Sequence, residues 1–273
     1  MINKKKRRSD NGSVLGNTSP LPNFYIGLLL AITYVPILLV IIYSFNESRM
    51  STVWSGFSLD WYVELFRDHS IFIALRNSLI VAISASLCAA FVGTLGAVGF
   101  SRVKLKTNNT AEYISTIPIM IPEIVLGLVF IIFFALIGIP FGFPALIAAH
   151  STFCIPYVFL MVKARLSGME RTYVEAAKDL GASEFRAFAD ITFPLLRPAI
   201  ISGILLSFAM SMDDVIISMF LTNSETNTLP LKIYSQLRTG VTPKTNALCA
   251  LMFTFTLILG SLSFIIGKRN RNG

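Results

Sequence analysis

Three acidic residues lie in stretches of the sequence that are otherwise apolar. Asp213 and Asp214 are adjacent in SMDDVIIS, within the run from Arg197 to Thr222, and Glu123 directly follows IPIMIP. A charged side chain costs about 2.5–3.5 kcal/mol at the centre of a bilayer, so acids at such depth mark cation pathways, proton relays or structural pairs. A structural acid would pair with Lys or Arg, or would accept hydrogen bonds from backbone amides at a helix break.

The composition places these acids in a polytopic membrane protein. Of the 273 residues, 54% are hydrophobic and 14% are charged, whereas a soluble domain carries about 25% charged residues. Six apolar spans are predicted, over 24–45, 75–99, 113–137, 143–163, 198–221 and 246–267. Each is long enough to cross about 30 Å of hydrocarbon as a helix. The predicted fold class is therefore all-α, a polytopic membrane protein with six transmembrane helices.

The charge distribution predicts how these spans are oriented. The net charge is +8, and few of the 23 Lys and Arg residues fall in the predicted outer segments: Arg49, Arg67, Arg76, Lys232, Arg238 and Lys244. Because cytoplasmic loops carry the excess of basic residues, both termini are predicted to be cytoplasmic, and no nucleic-acid partner is needed to explain the charge. Residues 1–23 are predicted to be a disordered basic tail, 24–267 the transmembrane domain and 268–273 a cytoplasmic tail.

The residues that would carry bond chemistry are not arranged for it. The three cysteines fall in different apolar runs, and the two histidines, His69 and His150, lie in different segments without metal-ligand spacing. No G-x4-G-K-[ST] phosphate loop is present, since Gly267-Lys268 is followed by Arg269. We therefore expect no enzyme activity, no metal site and no cofactor in this chain.

The acids are predicted to line a cation pathway, because no Lys or Arg falls in the apolar cores of the spans to pair with them. Asp213 lies about 24 Å along the fifth span, nearer its outer mouth. Neighbouring residues on a helix diverge by about 100°, so one of Asp213 and Asp214 should face the pathway and the other a neighbouring helix or partner chain. Glu123, on a span that Pro118 and Pro122 should interrupt, adds a negative site at another depth.

Two further residues complete the predicted pathway. Trp61 belongs to the outer segment 47–72, which holds both tryptophans and is predicted to contain a short interfacial helix. Its ring would offer a cation–π contact at the entrance. Ser211 precedes the two aspartates in SMDDVIIS on the fifth span.

A cytoplasmic stretch, RTYVEAAKDLGASEFRAFADITFPLLRP, has the pattern of a compact helical unit. Thr172 and Glu175 fit the capping box that starts a helix, and Gly181 is placed to end that helix in the left-handed conformation. Ser183 is predicted to cap a second short helix, and Pro194 to end the unit before the fifth span. An apolar stripe is formed by Tyr173, Ala176, Ala177 and Leu180. A helix lying on the membrane surface would share this pattern.

The segment 171–198 resembles the EAA loop of ABC importer permeases, EAA-x3-G-x9-I-x-L-P. The matching positions are Glu175, Ala176, Ala177, Gly181, Ile191 and Pro194. Phe193 replaces the usual Leu and keeps an apolar residue. In that family the loop is the coupling helix that docks on the ATPase subunit.

With EAAKDLGASEF from this segment, four other stretches extend the resemblance: SFNESR, HSTFCIPY, SMDDVIIS and LPLKIYS. Together they are similar to the second permease subunit of spermidine/putrescine importers. The resemblance implies the type I ABC importer permease fold, with cytoplasmic coupling helices, in a prokaryotic plasma (inner) membrane. It also implies a second homologous permease, an external polyamine-binding protein and two ATPase subunits, which would bind ATP and Mg. Polyamine would be the substrate.

Two other classes of transporter use acids in membranes. One is an ABC importer permease for another cation or small solute. The other is a cation-coupled secondary transporter or channel, which would use the acids as ion relays but would leave the exposed apolar face of the cytoplasmic unit unexplained. A membrane scaffold would leave the acids themselves unexplained.

Overall fold

The computed structural model describes residues 20–48, 53–102, 115–168 and 172–269. Within these ranges the chain is helical, and its regular elements are α1 (Pro20–Tyr43), α2 (Asp60–Arg67), α3 (His69–Arg102), α4 (115–120), α5 (Glu123–Ile137), α6 (Phe143–Ser167), α7 (Thr172–Asp179), α8 (Glu184–Ala187), a π-helical turn (Phe188–Thr192), α9 (Phe193–Asp213), α10 (Ile216–Leu221), α11 (Leu229–Thr239) and α12 (Pro243–Arg269). The only β feature in the described part is an isolated bridge between Asn46 and Phe57. The predicted all-α class is confirmed.

Long apolar helices account for most of the predicted spans. Four are long and apolar enough to cross a membrane: Phe24–Tyr43, His69–Ser101, Phe143–Ser167 and Glu184–Asp213. They correspond to the first, second, fourth and fifth predicted spans. α12 covers the sixth, and α5 is a shorter apolar helix in the third.

The chain divides into two compact units, one of Met1–Glu64 with Thr242–Gly273 and one of Leu65–Val241. In the first unit α1 packs against α12. In the second, α6 packs against both α3 and α9. A Cβ at Gly93 would lie 3.0 Å from the Ile155 carbonyl oxygen, and one at Gly203 would lie 3.1 Å from the Val158 Cα. Glycine therefore sets how closely α3 and α9 approach α6.

The fifth predicted span is not one helix, which corrects the prediction for 198–221. α9 ends at Asp213, Asp214 has extended backbone angles (φ −68°, ψ 127°), and α10 starts at Ile216. α10 packs against α5 through a buried cluster that includes Ile217, Leu221 and Phe130. Asp213 and Asp214 are therefore not related by the 100° step of a continuous helix.

The third predicted span is also interrupted, as its prolines indicated. Pro122 occupies the position that precedes α5, with extended backbone angles. Pro118 lies inside α4 and does not interrupt it, so only one of the two predicted disruptions is found among the described residues. The break exists because Pro122 offers no backbone N–H and disfavours helical geometry at the residue before it.

The helical unit predicted to be cytoplasmic (172–192), which we call the cytoplasmic unit, forms as the local signals predict, and it ends differently. α7 begins at Thr172. Gly181 has φ +87°, and the amides of Gly181 and Ala182 donate to the carbonyls of Lys178 (2.9 Å) and Ala177 (3.0 Å), which is a Schellman motif. The Ser183 hydroxyl accepts from the Arg186 amide at 3.3 Å and caps α8.

The prediction that Pro194 ends this unit is wrong. α8, the π-helical turn and α9 form one helical rod over Glu184–Asp213. In the π-helical turn the Phe193 amide donates to the Phe188 carbonyl, five residues back. The wider turn makes room for the Pro194 ring at the start of α9, where its missing N–H is tolerated. The cytoplasmic unit is thus joined to the fifth span without a loop.

Candidate functional site

The break in the fifth span is organised by Asp214, whose residue is 7% exposed. Its Oδ1 accepts a hydrogen bond from the Ile217 amide (3.1 Å), and its Oδ2 accepts from the Ser218 amide and the Ser218 hydroxyl, both at 2.8 Å. Aspartate is a favoured N-cap residue because its carboxylate satisfies amides that the first helical turn leaves without partners. Asp214 therefore supplies the polar partners that α10 needs to start at membrane depth.

His150 on α6 links this cap to α9 and is 1% exposed. Its Nδ1 lies 2.7 Å from the Ser211 hydroxyl, and its Nε2 lies 3.3 Å from the Ser218 hydroxyl and 3.4 Å from Asp214 Oδ2. We call His150, Ser211, Asp214 and Ser218 the Asp214 network. It joins α6, α9 and α10 within the unit Leu65–Val241.

The hydrogen-bond directions in the Asp214 network are mutually constrained. The Ser218 hydroxyl donates to Asp214, so its oxygen can only accept from His150 Nε2. In the neutral tautomer with its proton on Nε2, Nδ1 accepts from the Ser211 hydroxyl. Donors therefore run from Ser211 through His150 and Ser218 to the Asp214 carboxylate.

The sequence prediction missed His150 as a partner of the acid, because the only partners it considered were Lys, Arg and the backbone amides at a helix break. Only one local signal was available, the serine four residues after Asp214 in SMDDVIIS, which suits a capped helix start. The histidine lies 64 positions before Asp214, so no local pattern connects the two.

The other two acids are placed differently from Asp214. Asp213 is the last residue of α9 and Glu123 the first of α5, and both are exposed. α10, which Asp214 caps, packs against α5, which begins at Glu123. The structure thus brings together the three predicted pathway acids, of which two are exposed and one is buried. Ser211, also predicted for the pathway, is 5% exposed and bonded to His150.

Trp61, the remaining predicted pathway residue, belongs to the unit of Met1–Glu64 and Thr242–Gly273. It lies in the first turn of α2, as predicted for an interfacial helix, and its indole N–H donates to the Asn46 carbonyl at 2.7 Å. Asn46 is fully buried and bonds Val53 and Ser55 through its side chain. Trp61 therefore helps to hold the segment after α1.

The cytoplasmic unit presents an apolar face. Leu180 is 90%, Phe185 80% and Tyr173 55% exposed. Among the residues that match the EAA loop, Glu175, Ala176, Gly181 and Pro194 are exposed, while Ala177 and Ile191 are half-buried. An ion pair between Lys178 Nζ and Glu184 Oε1, 2.6 Å apart, joins α7 to α8. Apolar side chains exposed to this degree on a short capped unit are typical of a docking surface.

Comparison with known families agrees with this architecture. Residues 89–271 match the family described as the binding-protein-dependent transport system inner membrane component. The chain belongs to this family, and it is a membrane permease component of a transport system.

Individual relatives narrow the assignment. The chain is 38% identical to the spermidine/putrescine transport system permease protein PotC of Haemophilus influenzae, over 92% of this chain and 98% of the relative. It is also 38% identical to the putrescine transport system permease protein PotI of Escherichia coli K12, over 89% of each chain. These relatives confirm the resemblance found from the motifs.

Solved structures share the fold at low sequence identity. A bacterial ABC transporter involved in the import of alginate matches with a TM-score of 0.68 and 14% identity, over 91% of this chain and 94% of that chain. The MetNI methionine ABC transporter matches with a TM-score of 0.56 and 18% identity, over 74% and 96%. The predicted ABC importer permease fold is confirmed.

Proposed function

We propose that this chain is the second permease subunit of an ATP-driven importer that moves polyamines, spermidine or putrescine, across the inner membrane by alternating access. The proposal is supported by the substrates named for PotC and PotI and by the acids at the two helix breaks. The observation that carries it is the pair of exposed acids, Asp213 and Glu123, beside the buried Asp214.

The acids suit a flexible chain of separated ammonium groups. A charge entering a medium of low dielectric constant needs fixed countercharge, because water no longer screens or solvates it. Asp213 and Glu123 would bind ammonium groups directly. Asp214 uses its oxygens to cap α10 and would attract the ammonium groups only through the electric field of its charge. Ser211 would support the site through its hydrogen bond to His150. Interrupted membrane helices are a recurrent setting for substrate sites in transporters. Trp61 would add a cation–π contact at the outer entrance.

ATP and Mg would be bound by two separate ATPase subunits, and this chain would perform no bond chemistry. A second homologous permease and an external polyamine-binding protein would complete the assembly. The exposed face of α7 and α8 would receive the ATPase, and the rod over Glu184–Asp213 would carry its movement to the break at Asp214. Both termini would be cytoplasmic.

The substrate assignment is tested by uptake of spermidine and putrescine into vesicles that contain all subunits. We expect ATP-dependent uptake of both polyamines, and a sharp fall per assembled complex when Asp213 and Asp214 are both changed to Asn. Undiminished uptake per complex in this variant would refute the pathway role. ATP-independent uptake driven by an ion gradient would favour a secondary transporter. Uptake that another cation or a small solute outcompetes would favour the alternative importer.

The coupling surface is tested with Gly181→Asp and Glu175→Ala. A side chain at Gly181 meets no atom within 4 Å, so its effect comes from the left-handed backbone (φ +87°) that ends α7. Gly138→Asp is a matched control, because Gly138 ends α5 with φ +74° and equally open space. We expect both coupling variants to weaken ATPase co-purification and uptake, and Gly138→Asp to leave the co-purification unchanged. Full uptake in both coupling variants would rule out this docking surface.

A further inference from the structure

The Asp214 network contains two kinds of hydrogen bond that differ in their reach along the chain. The cap of α10 is local, since Asp214 bonds residues three and four positions later. The anchor is long-range, since His150 reaches Ser211 and Ser218 across 61 and 68 positions. The local bonds let α10 start. The long-range bonds fix where the break lies relative to α6.

Loss of His150 would therefore leave α10 capped but without its anchor. Asp214 would still accept from Ile217 and Ser218. The bond from α6 to Ser211 would be gone, and Ser211 lies two residues before Asp213, the exposed acid that ends α9. The position of the Asp213 carboxylate depends on how α9 ends, and His150 touches α9 at that end.

We propose that His150 is a positioning residue, which holds the end of α9 against α6 so that Asp213 faces the polyamine ammonium groups. The inference depends on the proposed function, since it assigns His150 a role in placing the acid of that site. His150 itself touches no substrate in this scheme, because it is buried and both ring nitrogens are bonded within the chain.

The chemistry of the side chain gives a graded test. The amide nitrogen of glutamine can take the place of the ring Nε2 and keep a donor toward Ser218 and Asp214, whereas leucine keeps apolar volume without any bond. His69 is the matched control, because it is the other histidine of the chain and is exposed at the start of α3. The variants are His150→Gln, His150→Leu, His69→Gln and His69→Leu.

We expect His150→Leu to lower spermidine uptake per assembled complex by about tenfold, because the variant leaves the buried Ser211 and Ser218 hydroxyls without their partner. Polyamine moved per ATP hydrolysed should fall with it, because the ATPase surface is untouched. His150→Gln should stay within about threefold of the parent, and the His69 variants should match the parent. A merely structural role would lower the amount of assembled complex but leave uptake per complex and polyamine moved per ATP unchanged. That result would overturn the proposal. Equal loss in His150→Gln and His150→Leu would also overturn it.

Non-additivity identifies the residue through which His150 acts. If His150 serves to place Asp213, then His150→Leu combined with Asp213→Asn should transport no worse than the poorer single variant. Additive losses would overturn the proposal. If His150→Leu does not assemble, Ser211→Ala replaces it in the same cycle, because it removes only the Nδ1 partner. If Asp213→Asn leaves uptake per complex unchanged, the proposed function is refuted, and this inference with it. If Asp213→Asn lowers uptake but His150→Leu leaves uptake unchanged, the inference alone is refuted.

Discussion

Two breaks interrupt the helices of the larger unit, and they are built in opposite ways. The break before α5 is made by Pro122, which has no N–H to donate, and it leaves Glu123 exposed. The break before α10 is made by an aspartate that accepts from two amides and one hydroxyl and is held by a buried histidine. An acid in an apolar run can thus be exposed or be a bonded part of the scaffold, and the residue type alone does not tell which.

The largest effect should come from Asp214→Ala. The variant removes the cap of α10 and leaves the buried Ile217 and Ser218 amides without their acceptor, which costs on the order of 2–4 kcal/mol. We expect loss of assembled complex together with loss of uptake. The amount of complex in detergent extracts and its thermal midpoint are the measurements. Normal assembly would contradict a scaffold role for this acid.

Asp213→Asn and Glu123→Gln should separate the two kinds of acid. Both side chains are exposed, so the amides should change stability by no more than about 0.5 kcal/mol. Uptake per complex should fall roughly tenfold in each, and spermidine should suffer at least as much as putrescine because it has one more ammonium group. The test is uptake of both polyamines normalised to complex. If assembly rather than uptake is lost, these acids belong to the scaffold like Asp214.

Ser218→Ala should have an intermediate effect, confined to the second break. The hydroxyl donates to Asp214 and accepts from His150, while the Ser218 amide stays on the carboxylate. We expect a loss of about 1 kcal/mol in stability, the usual contribution of one buried hydrogen bond. Denaturation of the purified complex measures it, with Ser202→Ala as the control, since the Ser202 hydroxyl is exposed and bonds only its own helix. An equal loss in the control would show that the network gives Ser218 no added importance.

The smallest effect should come from Pro122→Ala. Alanine permits a helical turn before α5 but frees the unfolded chain that proline restricts, so the two effects oppose each other and stability should change by no more than about 1 kcal/mol. Glu123 should shift, and uptake should fall only a few-fold because Asp213 stays in place. Uptake and thermal midpoint are measured on the same preparation. A loss of assembly would show that this break, like the one at Asp214, is needed for folding.

The sequence by itself determined the features that depend on residues near one another along the chain. The apolar runs predicted the long helices, and Gly181 and Ser183 predicted the turn and cap of the cytoplasmic unit, because capping and helix termination act within a few residues. Pro122 predicted the break before α5 for the same reason. The motifs around Glu175 and SMDDVIIS carried the family.

Tertiary structure alone decided how each acid is placed and which groups it bonds. The run from Pro198 to Leu221 is apolar around the two aspartates, and only Ser218 indicated locally that α9 would stop at Asp213, since the cap that stops it is stabilised from α6. The π-helical turn that admits Pro194 likewise depends on how the rod continues into α9. The physical reason is that a buried carboxylate is tolerated only with hydrogen-bond partners, and one of them, His150, lies far away along the chain. Which acid is buried and which is exposed follows from that contact.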